Sequence, residues 1–372
     1  MISFNISGVL YENIVKASFT ESMIDFTNEA SFQVALQGDE DSPFIVGESC
    51  LVYLDDELVM TGIIYDVTLS YSSNSHILSY VVRDITADFA DSDIDSIGEL
   101  SGSLSLKKII EAVLRNINKN NKIEVVEEFS DIKNFDADND KIDPDYGDNA
   151  FDYIQGLARK RQVLLSTNAN GNIVIFRNQD EEIDGKIQNL INDTQNNNVM
   201  SCNFSKKQSA LFNVYVVRSQ LGSASSKSSF GKGASNSETT NQDGKYTDDN
   251  IRAGRQRCIT HEEASASGDV IDRAKWLHDF SEVESSNYSV VLNDHSISGN
   301  IFKSNRLIQV NDDFARISDK LLIRSVTATF SNEEGSSTAL DLVNKNSFKV
   351  QTETEQKESE RTEGETILGA KI

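Results

Sequence analysis

The chain has 372 residues, which is enough for two or three domains, and 38% hydrophobic with 25% charged residues is the composition of a globular protein. Its net charge of −24 argues against a surface that binds nucleic acid or anionic lipid. No run approaches the ~20 consecutive apolar residues of a membrane span. The first residues predict no signal peptide, and three distant cysteines predict free thiols in a reducing compartment.

The N-terminal quarter has the alternating pattern of β-strands. Residues 49–54 and 58–69 predict two strands around a tight polar turn, with a bend or bulge at Gly62. Residues 77–83 predict the returning strand. Short strands joined by hairpins favour a small barrel, so the sequence predicts a first β-barrel domain over residues 1–96.

From residue 103 the apolar residues take helical spacing, which predicts a helix over residues 106–117. A strongly acidic loop over 127–148 follows. Its Asp136, Asp138 and Asp140 have the spacing that begins a calcium loop, but Lys141 and Gly147 stand where that loop needs glycine and glutamate. We therefore interpret it as a solvated acidic loop.

Residues 148–177 are the most regular stretch of the chain. An apolar stripe predicts a helix that Asp148 or Asn149 caps. Two β-rich runs, 163–167 and 173–176, predict a hairpin after it. These elements complete a predicted α+β module over residues 97–185.

The remaining residues predict a second β-barrel domain over 186–350. Ser- and Gly-rich residues 222–249 predict a long loop, and the Thr260-His-Glu-Glu capping pattern predicts an inserted helix over 261–279. An acidic flexible tail is expected over 351–372. Further strands are predicted at 199–204, 210–217, 288–292, 306–310, 320–330 and 337–343.

The first and last β regions share an order of elements. Residues 50–82 and 306–343 both read as strand, turn, long strand, turn, strand, with similar lengths. We interpret this as two related small β-barrels flanking the α+β module, an α+β fold that is mainly β. Chance similarity between hairpin proteins is the alternative.

The sequence contains no recognisable active-site motif. His261-Glu262-Glu263 is not a zinc-protease motif, because Ser265 occupies the place of the second histidine, and His278 lies too far along to complete it. Nucleophile-elbow and Cys-x-x-Cys motifs are missing from the sequence. The sequence predicts no catalytic residue, no cofactor and no metal ligand.

The ordered set of segments resembles a family, the baseplate hub proteins of contractile phage tails. These are the Mu-type tail protein P and late control protein D group, related to the hub portion of type VI secretion spike proteins. The resemblance rests on residues 62–66 with 82–89, 147–154 and 158–174, the helix near 264–277 and the strands within 307–343, and covers most of residues 1–350.

The resemblance implies a structural protein of the virion tail, assembled in the host cytoplasm. It implies a homotrimer whose two barrels per chain form a pseudo-sixfold ring between a hexameric tail tube and a trimeric spike. Its partners would be the tube protein, the spike protein and other baseplate proteins, with DNA passing through without specific binding. A tail-associated cell-wall hydrolase and a carbohydrate-binding β module are the alternative functions.

Two segments are candidate contact sites. Arg159, Lys160 and Arg161 end the predicted helix of the middle module, and we expect them to touch a neighbouring subunit. Ile367, Leu368 and Ile372 follow the polar tail and could dock on a partner, with disorder as the simpler alternative.

Overall fold

A computed structural model describes residues 1–11, 14–36, 46–73, 75–117, 123–129, 132–137, 142–178, 180–219, 242–261 and 267–348. The predicted fold class is confirmed, since the chain is α+β and mainly β. In the ranges just given, no helix is both long and apolar enough to cross a membrane.

The described residues of the N-terminal region form seven strands. Their inward positions alternate with outward ones, as in β1, where Ile2, Phe4 and Ile6 are buried. These side chains pack with Phe32 and Tyr80 in a common core. The strands are β1 (Ile2–Ile6), β2 (Val9–Tyr11), β3 (Ile14–Ser22), β4 (Glu29–Ala35), β5 (Ser49–Leu54), β6 (Glu57–Ser72) and β7 (Ser75–Asp84).

In the middle region, the parts that the structure describes contain three helices and five short strands. Helix α2 (Leu106–Ile117) buries Ile109, Ile110 and Val113 on its apolar face, and these side chains belong to a second hydrophobic core. Asn149 caps the next helix by accepting the Asp152 amide, as predicted. The elements are α1 (Ala87–Ala90), β8 (Ser103–Leu104), α2 (Leu106–Ile117), β9 (Val125–Glu127), β10 (Phe135–Asp136), α3 (Ala150–Lys160), β11 (Leu164–Thr167) and β12 (Ile173–Phe176).

The C-terminal region adds eleven strands and one long helix within 180–219, 242–261 and 267–348. The predicted module boundary at 185 falls inside the first of these strands. The elements are β13 (Glu182–Asn189), β14 (Val199–Lys206), β15 (Val214–Ser219), β16 (Gln242–Thr247), β17 (Gln256–His261), α4 (Ser267–Ser285), β18 (Ser286–Leu292), β19 (Ser296–Ile297), β20 (Asn300–Ile301), β21 (Leu307–Asp312), β22 (Ile317–Ser331) and β23 (Gly335–Asn344), with short 3₁₀ turns at Thr194–Asn196 and Gln208–Ala210.

The two β regions form one continuous sheet of 13 strands. Its order is β14-β18-β23-β22-β3-β4-β7-β6-β5-β1-β2, with β21 and then β13 attached beside β22. The joint is the antiparallel pair of β3 with the second half of β22. Strands that are far apart in sequence therefore hold the two ends of the chain together. Whether each region counts as a barrel stays a prediction.

Each half of this sheet contains the same five-stranded unit. The first unit has the order β3-β4-β7-β6-β5, and the second has the order β14-β18-β23-β22-β21. Its hairpin strands have 6, 16 and 10 residues in the first unit and 6, 15 and 10 in the second. This agreement extends the predicted likeness of the two β regions by two further strands.

Two bulges occur at the same places in both units, whereas a third, in the pairing of β5 with β6, has no counterpart between β21 and β22. In the long strand the extra residue is Tyr65 in the first unit and Arg324 in the second. In the edge strand it is Val15 and Met200, respectively. Because a bulge fixes local register and twist, shared bulges are strong evidence for a repeated unit. They also set a residue-by-residue correspondence, with 63–72 matching 322–331.

Three predictions about local structure were wrong. Residues 260 and 261 continue β17 because they pair in parallel with β15, so the helix does not begin at 261; it is described over Ser267–Ser285. The predicted 222–249 loop contains strand β16. Gly62 is regularly paired and is not the bulge; a Cβ there would lie 2.5 Å from the carbonyl oxygen of Arg83.

Strands β15, β16 and β17 form a separate small sheet that packs on α4. Tyr215, Val217, Val270 and Ala274 are fully buried between them. This sheet and helix lie between β14 and β18, whereas β3 and β4 of the first unit are separated by residues 23–28 alone. The second unit thus carries an insertion.

Candidate assembly interface

The seam between β3 and β22 is the contact that joins the two units. Residues 16–22 pair with 325–331, and backbone bonds continue beyond both ends, from the Met23 amide to the Arg324 carbonyl (2.9 Å) and from Asn332 to Val15 (3.0 Å). Thr20 and Thr327 share a hydroxyl hydrogen bond of 3.2 Å. The seam is formed by backbone pairing of two strands, and few of its side chains are charged.

At one end of the seam lies Glu21. Its carboxylate accepts the Ser304 amide, and burial raises its pKa although Lys303 and Arg306 oppose that change. The group anchors the residue 302–306 turn onto the seam. Its role is structural, because its partners are a backbone amide and two basic side chains.

The hairpin of the middle module docks on the first unit. Thr61 in β6 donates a 2.7 Å hydrogen bond to the Ala169 carbonyl at the hairpin tip. Gly171 has φ +77°, and a Cβ there would meet the Ile85 side chain at 2.3 Å. The Asn170-Gly171 turn is therefore required both for the turn conformation and for close approach.

A buried polar cluster lies beneath this contact. Thr167 donates to Asp84, and Asp84 also accepts the Asn28 amide at 3.2 Å, while Asn28 donates to Thr167 at 3.1 Å. Asp84 is fully buried, and burial raises its pKa to about 7. The cluster ties β7, β11 and the β3–β4 connection together.

The same hairpin also contacts the second unit. The Asn178 side chain donates to the Lys345 and Ser347 carbonyls at 2.8 and 2.9 Å, and Asn305 donates to Arg177 at 3.3 Å. Residues from all three regions share one apolar core here: Met23, Val174, Phe176, Val283, Leu307, Leu322, Val343 and Phe348. The middle module thus holds the two units at a fixed separation.

The three predicted subunit-contact residues have different surroundings. Arg161 donates to the Lys133 and Asn134 carbonyls at 2.8 and 3.2 Å and lies 3.6 Å over the Phe135 ring, so it is engaged within the chain. Lys160 is half-buried. Arg159 is exposed and donates to Gln155 at 2.6 Å. Contact with a neighbour stays a prediction for this segment.

Other sequence candidates lie partly outside the described residues. This holds for Ile367, Leu368 and Ile372 of the tail, and for Asp138 and Asp140 of the acidic loop. Asp136 is exposed and lies in β10, where it pairs with Ser103 of β8.

Sequence reasoning missed a polar cluster around His278, which it had considered only as a partner of His261. His278 Nε2 lies 3.0 Å from Asp248 and Nδ1 lies 3.1 Å from Asp279, with Glu282 4.0 Å away. Burial lowers its pKa, but hydrogen bonds to Asp279 and Asp248 outweigh burial and raise it overall.

Donor atoms of Asp248, His278 and Glu282 lie within 4.8 Å of one another, close enough to hold a cation. Because both ring nitrogens already have carboxylate partners, a protonated imidazole accounts for the cluster without an ion. It fastens α4 to the small sheet of the insertion.

Comparisons with known proteins agree with this architecture. The fold is that of phage tail proteins. A tail protein of 43 kDa from prophage MuSo2 of Shewanella oneidensis superposes with a TM-score of 0.77 at 20% identity, covering 94% of this chain and 99% of that chain. A tail protein from Neisseria meningitidis MC58 gives 0.77 at 14% identity, covering 93% and 97%.

A third likeness extends to secretion systems. The E. coli c3393 protein, a type VI secretion component described as similar to T4 tail proteins gp27 and gp5, gives a TM-score of 0.58 at 12% identity over 92% of this chain and 76% of that one. No curated protein sequence matches the chain.

Residues 1–84 match the family model for the N-terminal domain of Mu phage baseplate assembly protein GpP-like. The Mu-type resemblance drawn from the sequence is thereby confirmed. Together, these comparisons show the fold of phage tail proteins and a first region similar to a Mu-type baseplate assembly protein.

Proposed function

We propose that the chain is a non-enzymatic hub subunit of a tail baseplate and that it assembles as a homotrimer. The observation that carries this proposal is the repeated five-stranded unit. Two equivalent units per chain give six similar positions around a threefold axis. Such a ring matches a hexameric tube on one side and a trimeric spike on the other.

The arrangement of the middle module supports a rigid adaptor. It contacts the first unit through Thr61 and Asp84 and the second through Asn178, so the two units keep one relative position. A ring that transmits load between tube and spike needs such rigidity. The proposed partners are accordingly the tube protein, the spike protein and other baseplate proteins in the virion.

The acidic balance of the chain suits passage of DNA through the ring after the spike is released. A net charge of −24 repels phosphates, whereas basic walls would bind them. A neutral or basic lumen in the assembled ring would contradict this part of the proposal.

Native mass spectrometry of the purified full chain tests the oligomer, followed by electron microscopy with tube and spike proteins. We expect a trimer whose projection along the axis has six similar lobes. A monomer with wall-lytic or sugar-binding activity would instead favour the alternative functions.

A further inference from the structure

The strand edges left open in one chain are complementary. In the described part of the chain, β14 pairs only with β18, and residues 66–72 of β6 pair only with β7. β14 lies at the far end of the sheet from β6, with β18, β23, β22, β3, β4 and β7 between them. Each unit therefore has one such strand edge without a second strand beside it, in addition to the edges at β2 and β13.

The repeated unit shows what each open edge is built to pair with. Strand β14 corresponds to β3, and residues 66–72 of β6 correspond to 325–331 of β22. Within the chain, β3 pairs with that part of β22. The joint between the units is therefore formed once within the chain. The two strands that correspond to its components also occur in the chain, but they are not paired with each other.

We propose that β14 of one copy pairs antiparallel with residues 66–72 of β6 in the next copy, repeating the β3–β22 seam between subunits. This inference rests on the proposed homotrimer and specifies its interface. Repeating one joint around an axis links three open sheets into a closed ring in which both of these edges are paired.

The correspondence also fixes the register. Counting pairs from the bulges makes Phe204 the counterpart of Phe19, which pairs with Ala328. Ala328 in turn corresponds to Leu69. Phe204 of one copy therefore lies opposite Leu69 of the next, and Cys202 lies opposite Tyr71.

The side chains on the two edges suit this register. The residues 67–72 read Val-Thr-Leu-Ser-Tyr-Ser and 326–331 read Val-Thr-Ala-Thr-Phe-Ser. Ser205 comes opposite Thr68, as Thr20 comes opposite Thr327 in the formed seam. Exposed Lys206 and Lys207 come beside exposed Asp66, which adds charge attraction in an otherwise acidic chain.

Exposure in the single chain agrees with a missing neighbour. Met200 is 58% exposed and Tyr71 is 76% exposed, although both lie in strands of the main sheet. In the second unit, β3 covers the equivalent strand, and Phe330, which occupies the position of Tyr71, is half-buried rather than exposed. Exposed apolar side chains along an edge are typical of strand addition by a partner.

A disulfide trap tests the register. In a Cys258→Ser background, Tyr71→Cys is placed opposite the native, exposed Cys202, at the separation of paired strand residues that a disulfide can bridge. We expect mild oxidation to give a covalent trimer on non-reducing gels, since each copy forms one bond with each neighbour. Cys50 is buried and does not compete.

Matched controls are Ser70→Cys, whose side chain lies on the opposite face, and Tyr71→Cys with Cys202→Ser; neither should cross-link. Equal cross-linking by Ser70→Cys, or none by Tyr71→Cys with the folded circular-dichroism spectrum retained, overturns the pairing. A trimer by native mass without this disulfide overturns the interface and leaves the hub proposal standing. A covalent ladder beyond three supports the pairing and overturns the closed trimer.

Discussion

The two five-stranded units have the same strand order and share two bulges, but their edges have different neighbours. The edge strand β3 of the first unit is covered by β22, whereas β14 of the second unit has no such cover within the described chain. Consequently Ala328 is fully buried, while Leu69 at the corresponding place is half-buried. Burial here is decided by the adjoining unit rather than by the strand's own sequence.

The largest expected effect comes from charging the seam. Ala328→Asp places a carboxylate in a closed apolar position opposite Phe19, and we expect it to lower the free energy of unfolding by about 3–5 kcal/mol. Leu69→Asp in the first unit should cost only about 1–2 kcal/mol in the dissociated monomer. Urea unfolding of both variants measures the difference, and equal losses would show that the two strands are equally covered.

The units also differ in where the middle module rests, since its hairpin tip contacts β6 of the first unit. Gly171→Ala combines a positive φ with a clash against Ile85, and we expect a loss of about 2–3 kcal/mol. Gly147→Ala is the control, because Gly147 also has positive φ but open space around it; about 1 kcal/mol is expected there. Thermal unfolding of the two variants gives the comparison, and similar losses would mean that tip docking contributes nothing.

The sequence predicted elements whose signals are local. The helix Leu106–Ile117 and the hairpin of β11 and β12 have the predicted bounds or nearly so, because their periodicity and turn residues lie within the segment itself. The likeness of the two β regions was also readable, since Val67-Thr68 and Val326-Thr327 occupy matching strands.

What could not be predicted depends on distant pairing. The seam joins residues separated by most of the chain, and no local pattern records that contact. Thr260 and His261 fit a helix cap by sequence, but pairing with β15 makes them a strand. For the site residues, the contact of Arg161 with Phe135 could not be predicted either, because the ring belongs to strand β10, whose position depends on its pairing with β8.

A smaller effect is expected from Asp84, a titratable residue of the first unit that makes stability depend on pH. Asp84 of the first unit corresponds to Asn344 of the second, so Asp84→Asn gives both units the same residue type. Because the folded pKa of Asp84 is raised to about 7, the folded state holds a proton that the unfolded state releases, and stability falls as pH rises from 3.8 to about 7.

We expect Asp84→Asn to remove this decline and to be about 2 kcal/mol more stable than the native chain above pH 7. Asparagine keeps an acceptor for Thr167 and Asn28. Urea unfolding across that range tests it; identical pH profiles for the two proteins would show that Asp84 is ionised without penalty.

The smallest effect concerns the insertion that only the second unit carries. Since the pKa of His278 is raised above 6.5, its contribution is fully present below pH 6.5 and is lost as pH rises through the folded value. Deprotonation removes one donor from the contacts with Asp248 and Asp279, near Glu282 and the Tyr246 ring. We expect β15 amides to lose about 1 kcal/mol of hydrogen-exchange protection at high pH, while those of β18 do not change. His278→Gln should abolish the pH dependence, because glutamine does not titrate, and a native profile as flat as that of the variant would show that His278 is neutral throughout.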